Sequence, residues 1–383
     1  MTQGPPIKLA DRTSLLILQP TPFCNIDCRY CYLTDRANTT RMTPERAVEA
    51  FRRLAAFPTV RDEASMIWHA GEPLVLGVDW YEQVFTGIVA AAPSGLNIHH
   101  CVQTNAMLID DDWCRLFRDW KVNVGVSVDG PREMHDAERV DRKGRGTFDR
   151  TMAGIACLRR NDVDFHVISV LGEPAMREPA ALFAFYRDND IARIAFNVRE
   201  REGGNVDTCA GAGVTPTDLR NFYAGFLAAM RAAEYPIDIR ELEQAAGAVS
   251  GFGRGPEGNE QVEAFGIVTV DVGGGVTTFS PELAGLSGFG YPQGFDVGNV
   301  FTDDFETMLN SPTLARMAAE IGEGVEACRA SCAYFPVCCG GAPVNKLCEA
   351  GSFAVTETEY CRLTKKAVMD FVLETIEAAE SAA

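Results

Sequence analysis

Apolar positions in the first half of the chain fall into short runs, separated by longer stretches in which apolar residues recur every three or four positions. The runs predict strands at Leu15 to Leu18, Ala64 to Trp68, Ile98 to Val102, Val122 to Val128, Phe165 to Val170 and Arg193 to Phe196. The stretches between them predict helices at Pro44 to Ala55, Trp80 to Ala91, Asp111 to Trp120, Phe148 to Arg160 and Pro179 to Arg187. Thr43 and Asp110 stand where helix caps are wanted. Strand and helix alternating in this way imply a parallel sheet with helices on one side, because crossovers keep one hand. The expected fold class is α/β, a partial (β/α)6 TIM-like barrel open along one side.

Polar residues collect where the expected strands end, which is where chemistry gathers in such folds. The first strand leads into a cysteine loop and the second into His69-Ala-Gly71-Glu72-Pro73. The third ends in Gln103-Thr104-Asn105, the fourth in Ser127-Val-Asp129-Gly130-Pro131, the fifth at Ser169 and the sixth at Asn197. Taken singly, a Ser or Asn at a strand end is most often a turn or cap. One polar cluster per strand end points instead to a single pocket over the barrel mouth.

Beyond the barrel, Glu200 to Gly213 is rich in Gly and polar residues and reads as a linker. Helices are expected at Pro216 to Ala233 and Ile239 to Ser250, then a glycine-rich loop around Gly251 to Gly258. Alternating Val and Thr from Gly266 to Thr278, about Gly273-Gly-Gly275, predict a hairpin. A helix from Arg362 to Ala379 closes the chain.

Composition narrows the function classes. Of the 383 residues, 46% are hydrophobic and 23% charged, which is ordinary for a globular protein. A formal charge of -18 argues against a nucleic-acid groove but tolerates a neutral or basic peptide. No apolar run reaches the roughly eighteen residues needed to span a bilayer, and Met1 to Arg12 lacks the apolar core of a secretory signal. A cytoplasmic protein with no membrane or nucleic-acid partner is expected. Thirteen cysteines there argue for metal ligation over disulfides.

Three of those thiols fall in Thr21-Pro-Phe-Cys24-Asn-Ile-Asp-Cys28-Arg-Tyr-Cys31-Tyr32, directly after the first strand. Cysteines spaced C-x3-C-x2-C suit one face of an iron-sulfur cube and leave one iron open to a ligand. Half of a zinc site, the competing assignment, usually offers paired C-x2-C hooks. The spacing, the preceding strand and Tyr30 before the last cysteine resemble the signature of radical S-adenosylmethionine (SAM) enzymes.

That resemblance implies a 4Fe-4S cluster on Cys24, Cys28 and Cys31, with SAM beside it. Gly71-Glu72-Pro73 looks like the family's glycine-glutamate motif, which receives the SAM ammonium; Ala70 stands where a first glycine is usual. Ser127 and Asn105 are similar to the ribose and aminoacyl contacts, and Tyr30 is expected near the adenine. Arg139 resembles the arginine that grips the SAM carboxylate with both arms of its fork.

The late cysteines Cys328, Cys332, Cys338, Cys339, Cys348 and Cys361 resemble the SPASM or twitch-like extension of peptide-modifying radical SAM enzymes. Ala342 and Ser280 stand where further thiols would serve a second auxiliary cluster, so the resemblance implies one auxiliary 4Fe-4S cluster, on Cys328, Cys332, Cys338 and Cys361. Cys339 and Cys348 are alternates, and four thiolates would also satisfy zinc. The implied domains are a radical SAM barrel at 13–200, a helical bridge at 201–265 and the auxiliary-cluster domain at 266–383.

Within that group, Ser331 to Lys346, Glu349, Thr358 to Arg362, and Phe196-Asn197 with Glu200, Glu202, Gly203 and Asn205 look like the Grr-type and cyclophane-forming maturases. The resemblance implies SAM cleavage to a 5'-deoxyadenosyl radical and a cross-link from a side-chain β-carbon to an aromatic ring of a ribosomal precursor peptide. A reductant such as flavodoxin or ferredoxin would supply electrons. Thioether formation, hydroxylation, sulfatase-type Ser or Cys oxidation and a non-catalytic metal-binding scaffold are the alternatives. The sulfatase type would want two full auxiliary clusters. A first strand near residue 14 leads us to expect leader-peptide binding on another surface or a separate protein.

Overall fold

The computed structural model describes residues 7–209, 211–251 and 258–382, so most of the glycine-rich stretch expected around Gly251 to Gly258 lies outside the described residues. Ten strands follow in chain order: β1 Leu15–Leu18, β2 Glu63–Trp68, β3 Asn97–Thr104, β4 Asn123–Ser127, β5 Phe165–Leu171, β6 Arg193–Val198, β7 Asp238–Ile239, β8 Ile267–Val270, β9 Gly275–Thr278 and β10 Gly298–Asn299. They form one sheet in the order β10-β9-β8-β1-β2-β3-β4-β5-β6-β7. From β8 to β7 every neighbouring pair is parallel.

The intervening helices form where the apolar period predicts them. Pro44–Leu54 starts on Thr43, whose hydroxyl accepts from the Arg46 amide, and buries Ala47, Ala50, Phe51 and Leu54 on one face. Asp111–Asp119 starts on Asp110, whose carboxylate accepts from the Asp112 and Trp113 amides. Trp68 of β2 is wholly buried, edge-on to Trp80 and Tyr81 of the helix Val78–Ala91 at ring separations of 5.8 and 5.4 Å. Such T-shaped contacts are favourable beyond the area they bury. No helix among the described residues is long and apolar enough to cross a membrane.

The sheet continues on both sides of the six expected units. β7, reached through the helix Pro216–Ala233, pairs with β6. The expected hairpin is β8 and β9, antiparallel as predicted, but β8 also pairs in parallel with β1, Leu15 against Ile267 and Leu18 against Val270. The sheet therefore runs across the boundary placed at 266. β8 is buried at all four positions, which is what a strand covered on both faces requires.

Within Glu200 to Gly213, the stretch expected to be a linker, Gly203 and Gly204 pack against the cysteine loop. The Gly204 amide donates to the Tyr32 carbonyl at 2.7 Å, and a Cβ on Gly203 would lie 2.5 Å from that same oxygen. Asn205 is buried there and satisfied, its amide donating to the Glu200 and Asp207 carbonyls at 2.6 and 2.9 Å.

Candidate active site

The cysteine loop leaves the end of β1 and is laced to the segment after β4. The Asp27 amide donates to the Val140 carbonyl at 2.7 Å, and the Arg29 amide to that of Glu138 at 3.0 Å. Three guanidiniums surround the loop. Arg36 donates to the Cys28 carbonyl at 2.9 Å, Arg142 to the Cys24 carbonyl at 2.8 Å, and Arg139 Nη1 lies 3.9 Å from Cys28 Sγ.

This donor set fits an iron-sulfur cluster. Burial pushes the Cys24 thiol up, and the fields of Cys28 and Cys31 push it further, so the three sulfurs act on one another. Burial likewise raises Cys28, to about 11, against the pull of Arg139. Thiolates so placed are stable only beside strong positive charge, which iron supplies and the arginines supplement. Among the described residues no three Cys, His, Asp or Glu side chains close around a single ion.

Around the loop, the strand-end residues form two linked knots. In the first, the Glu72 carboxylate accepts from the Leu74 amide at 3.1 Å, the Thr104 hydroxyl at 2.7 Å and the Asn105 amide at 2.9 Å. Burial still pushes its carboxyl up to about 7 against these bonds. Asn105 donates to Asn25, beside Cys24, at 2.7 Å. Pro73 opens a short turn capped by Glu72. Gly71, at φ +78°, lies so close under the loop that a Cβ would stand 2.6 Å from the Phe23 carbonyl oxygen.

The second knot centres on Asp129, to which sequence reasoning gave no role. Its carboxylate pairs with both arms of the Arg139 fork at 2.9 and 3.0 Å and accepts from the Tyr30 hydroxyl at 2.5 Å and the Val170 amide at 3.0 Å. The fork expected to meet the SAM carboxylate is therefore held inside the protein, with Nη1 turned to Cys28. The signal for Asp129 was its position two residues past β4. Ser127 accepts from Gln103 at 2.8 Å. His69, also unassigned, meets the Tyr32 hydroxyl at 3.1 Å, and burial lowers its imidazole to about 4.

The C-terminal cysteines form a separate group. Cys328 lies in the last turn of the helix Pro312–Ser331, with Cys332 directly after that helix, Cys338 in the turn Phe335–Cys338, and Cys361 opening a π-helical stretch to Ala367. Burial pushes Cys361 up to about 11, and Cys338 and Cys332 add to this while Lys366 opposes it. Cys328 Sγ lies 3.4 Å from Nζ of the buried Lys346. Cys332 and Cys338 act on Cys361 beside Lys366, a donor set that fits a negatively charged cluster, whereas Cys328 Sγ also lies near the Thr356 carbonyl at 3.5 Å. Of the alternates, Cys339 lies beside Cys338, whereas Cys348 lies among Glu282, Glu200 and Glu349.

Comparison with known proteins bears on this arrangement. A family model described as "Radical SAM superfamily" matches residues 18–186. An uncharacterized protein of Synechocystis sp., sll1766, is 36% identical over 95% of this chain and 92% of its own length. The serine-type anaerobic sulfatase-maturating enzyme of Klebsiella aerogenes is 34% identical over 44% of this chain, which spans 42% of that enzyme. Among solved structures, anSMEcpe with bound AdoMet superposes with a TM-score of 0.73 at 20% identity, over 96% of this chain and all of the other. Streptococcus suis SuiB bound to its precursor peptide SuiA gives 0.65 at 16% identity, over 93% and 77%. Both share the fold, including the part that follows the barrel. The family match begins on the last residue of β1 and takes in the cysteine loop and the ends of β2 to β5, so this chain belongs to the Radical SAM superfamily and is an enzyme.

Proposed function

We propose that this enzyme is a peptide maturase that joins a side-chain β-carbon to an aromatic ring within a ribosomal precursor peptide. The observation that carries the peptide substrate is the cavity beside Tyr32, walled by the cysteine loop, the 203 region and the loop after β9. A substrate there would reach the cysteine loop and the C-terminal unit together. When bound, the cluster on Cys24, Cys28 and Cys31 and its SAM supply a radical able to take hydrogen from an unactivated carbon.

The chain's own residues would hold and orient. Glu72, Asn105, Ser127, Tyr30 and Arg139 would line the SAM side, and Asp129 would keep Arg139 and Tyr30 in place. Cys328, Cys332, Cys338 and Cys361 would hold the auxiliary cluster, a suitable acceptor for the electron that leaves as the ring regains aromaticity. Closing one C–C bond removes two hydrogens from the peptide, one taken as an atom and one leaving as a proton plus that electron.

Similarity to sulfatase-maturating enzymes favours a second reading, oxidation of a Ser or Cys side chain to an aldehyde. The two separate cleanly. Reconstituted enzyme, SAM and reductant would be incubated with the short peptides encoded beside the gene, and each product treated with a hydrazide probe. A product lacking two hydrogens, unreactive to hydrazide and linked through a ring carbon by NMR, supports cross-linking. A hydrazide-reactive product selects the oxidase, and failure to cleave SAM under reductant would overturn both.

A further inference from the structure

The cavity beside Tyr32 has a volume of about 210 Å³, and its lining includes Gln19, Asp35, Asp271 and Glu282 but no Lys or Arg. Behind Glu282 stands Glu202, hydrogen-bonded to it, and Glu200 is near enough to act on both. Burial pushes all three carboxyls up, and each feels at least one of the others. The Lys365 ammonium acts on Glu200, which also accepts from the Asn345 amide, and Glu282 accepts from the neutral Ser280 hydroxyl. Buried carboxylates are ordinarily paired, because leaving the charge unpaired is costly.

An independent feature points the same way. Gln19, the residue after β1, is only 7% exposed, lines this cavity, and has no hydrogen-bond partner for its Nε2. A buried amide donor without an acceptor is costly and calls for one from outside. A metal ion would answer the acids but not the donor, and no three of these side chains close around one ion. A peptide residue with a cationic side chain answers both, through its carbonyl oxygen and its charge.

We propose that the cavity is a subsite for an arginine or lysine residue of the peptide substrate, its charge held by Glu282 with Glu202 behind it and its carbonyl held by Gln19. This rests on the peptide-maturase reading. Tyr32 would place that residue next to the cysteine loop, so the subsite would set which neighbouring residue reaches the radical.

Calorimetry on the reconstituted holoenzyme tests it without any turnover. n-Butylguanidinium is expected to bind about tenfold or more tightly than n-butylurea, its neutral isostere, and Glu282→Gln to remove that preference. Gln19→Leu should weaken N-acetyl-arginine methylamide, which carries a carbonyl, while leaving n-butylguanidinium unchanged. If Glu282→Gln melts without cooperativity, Glu202→Gln is measured in its place with the same expectation. Equal binding of the two isosteres, or a preference that survives the glutamine substitution, overturns the subsite. SAM cleavage and peptide modification by the wild type are scored separately, so loss of the subsite leaves the maturase reading standing.

Discussion

Arg139 and Asp129 face each other squarely across the base of the cysteine loop, Nε to Oδ2 at 2.9 Å and Nη2 to Oδ1 at 3.0 Å, with side chains only 8% and 4% exposed. This pairing sets the geometry of everything Arg139 can offer to a ligand. Lysine keeps the charge but not the fork. Arg139→Lys is expected to retain its iron while SAM affinity falls about tenfold or more, measured by equilibrium dialysis. Asp129→Ala leaves a guanidinium buried and unpaired and should cost about 3–5 kcal/mol in denaturant unfolding. Unchanged SAM affinity in Arg139→Lys would return the arginine to a purely structural role.

Iron content separates the two cysteine groups. Reconstituted wild type should hold about eight irons per chain, and replacing Cys24, Cys28 and Cys31 together by Ala should leave about four. Cys361→Ala is expected to keep SAM cleavage and lose cross-linked product, because hydrogen abstraction precedes the loss of the electron. Stoichiometric zinc in the C-terminal group would rule out the second cluster.

Gly71→Ala tests a close backbone approach beneath the cysteine loop. The added methyl would stand 2.6 Å from the Phe23 oxygen and 2.7 Å from that of Thr21, both backbone, at a φ of +78°. Strain of this kind costs about 1–3 kcal/mol, and the cysteine loop must also shift. A lower melting temperature with loss of deoxyadenosine formation is expected. Ala70→Gly, at φ +67°, trades relief of left-handed strain against chain entropy and should stay within about 1 kcal/mol of wild type.

Glu200 carries a pH signature. Burial raises its carboxyl from an ordinary 4.5 to about 8, so between those values the native state holds a proton that the unfolded state has released. Stability therefore falls as pH rises across that window. Thermal melts from pH 5 to pH 8 should show a decline in wild type that is shallower in Glu200→Gln. An identical decline in the two would show that Glu200 does not carry it.

Much of this architecture is legible in local sequence. The strands β1 to β6 and the helices between them fall within a few residues of the apolar pattern, because each buries one continuous face. Thr43 and Asp110 cap as their chemistry demands. The pairing of β8 with β1 is not legible, since it joins Ile267 to Leu15 and no local period encodes a distant partner. Glu200 and Glu202 look like linker residues because polar side chains usually face water. Their partial burial goes with Gly203 and Gly204 fitting against Tyr32, a tertiary match with no sequence period.

The double pairing of β1 has a consequence for how the protein is made. On one side Leu15 meets Ser65, available soon after β1 leaves the ribosome; on the other it meets Ile267, which emerges much later. Until then the strand that launches the cysteine loop has an open edge, the kind of surface that recruits stray strands. Iron delivered during that interval would meet a loop anchored on one flank only, so productive cluster loading belongs after synthesis of the C-terminal unit, and chains truncated before β8 should accumulate as iron-poor aggregates.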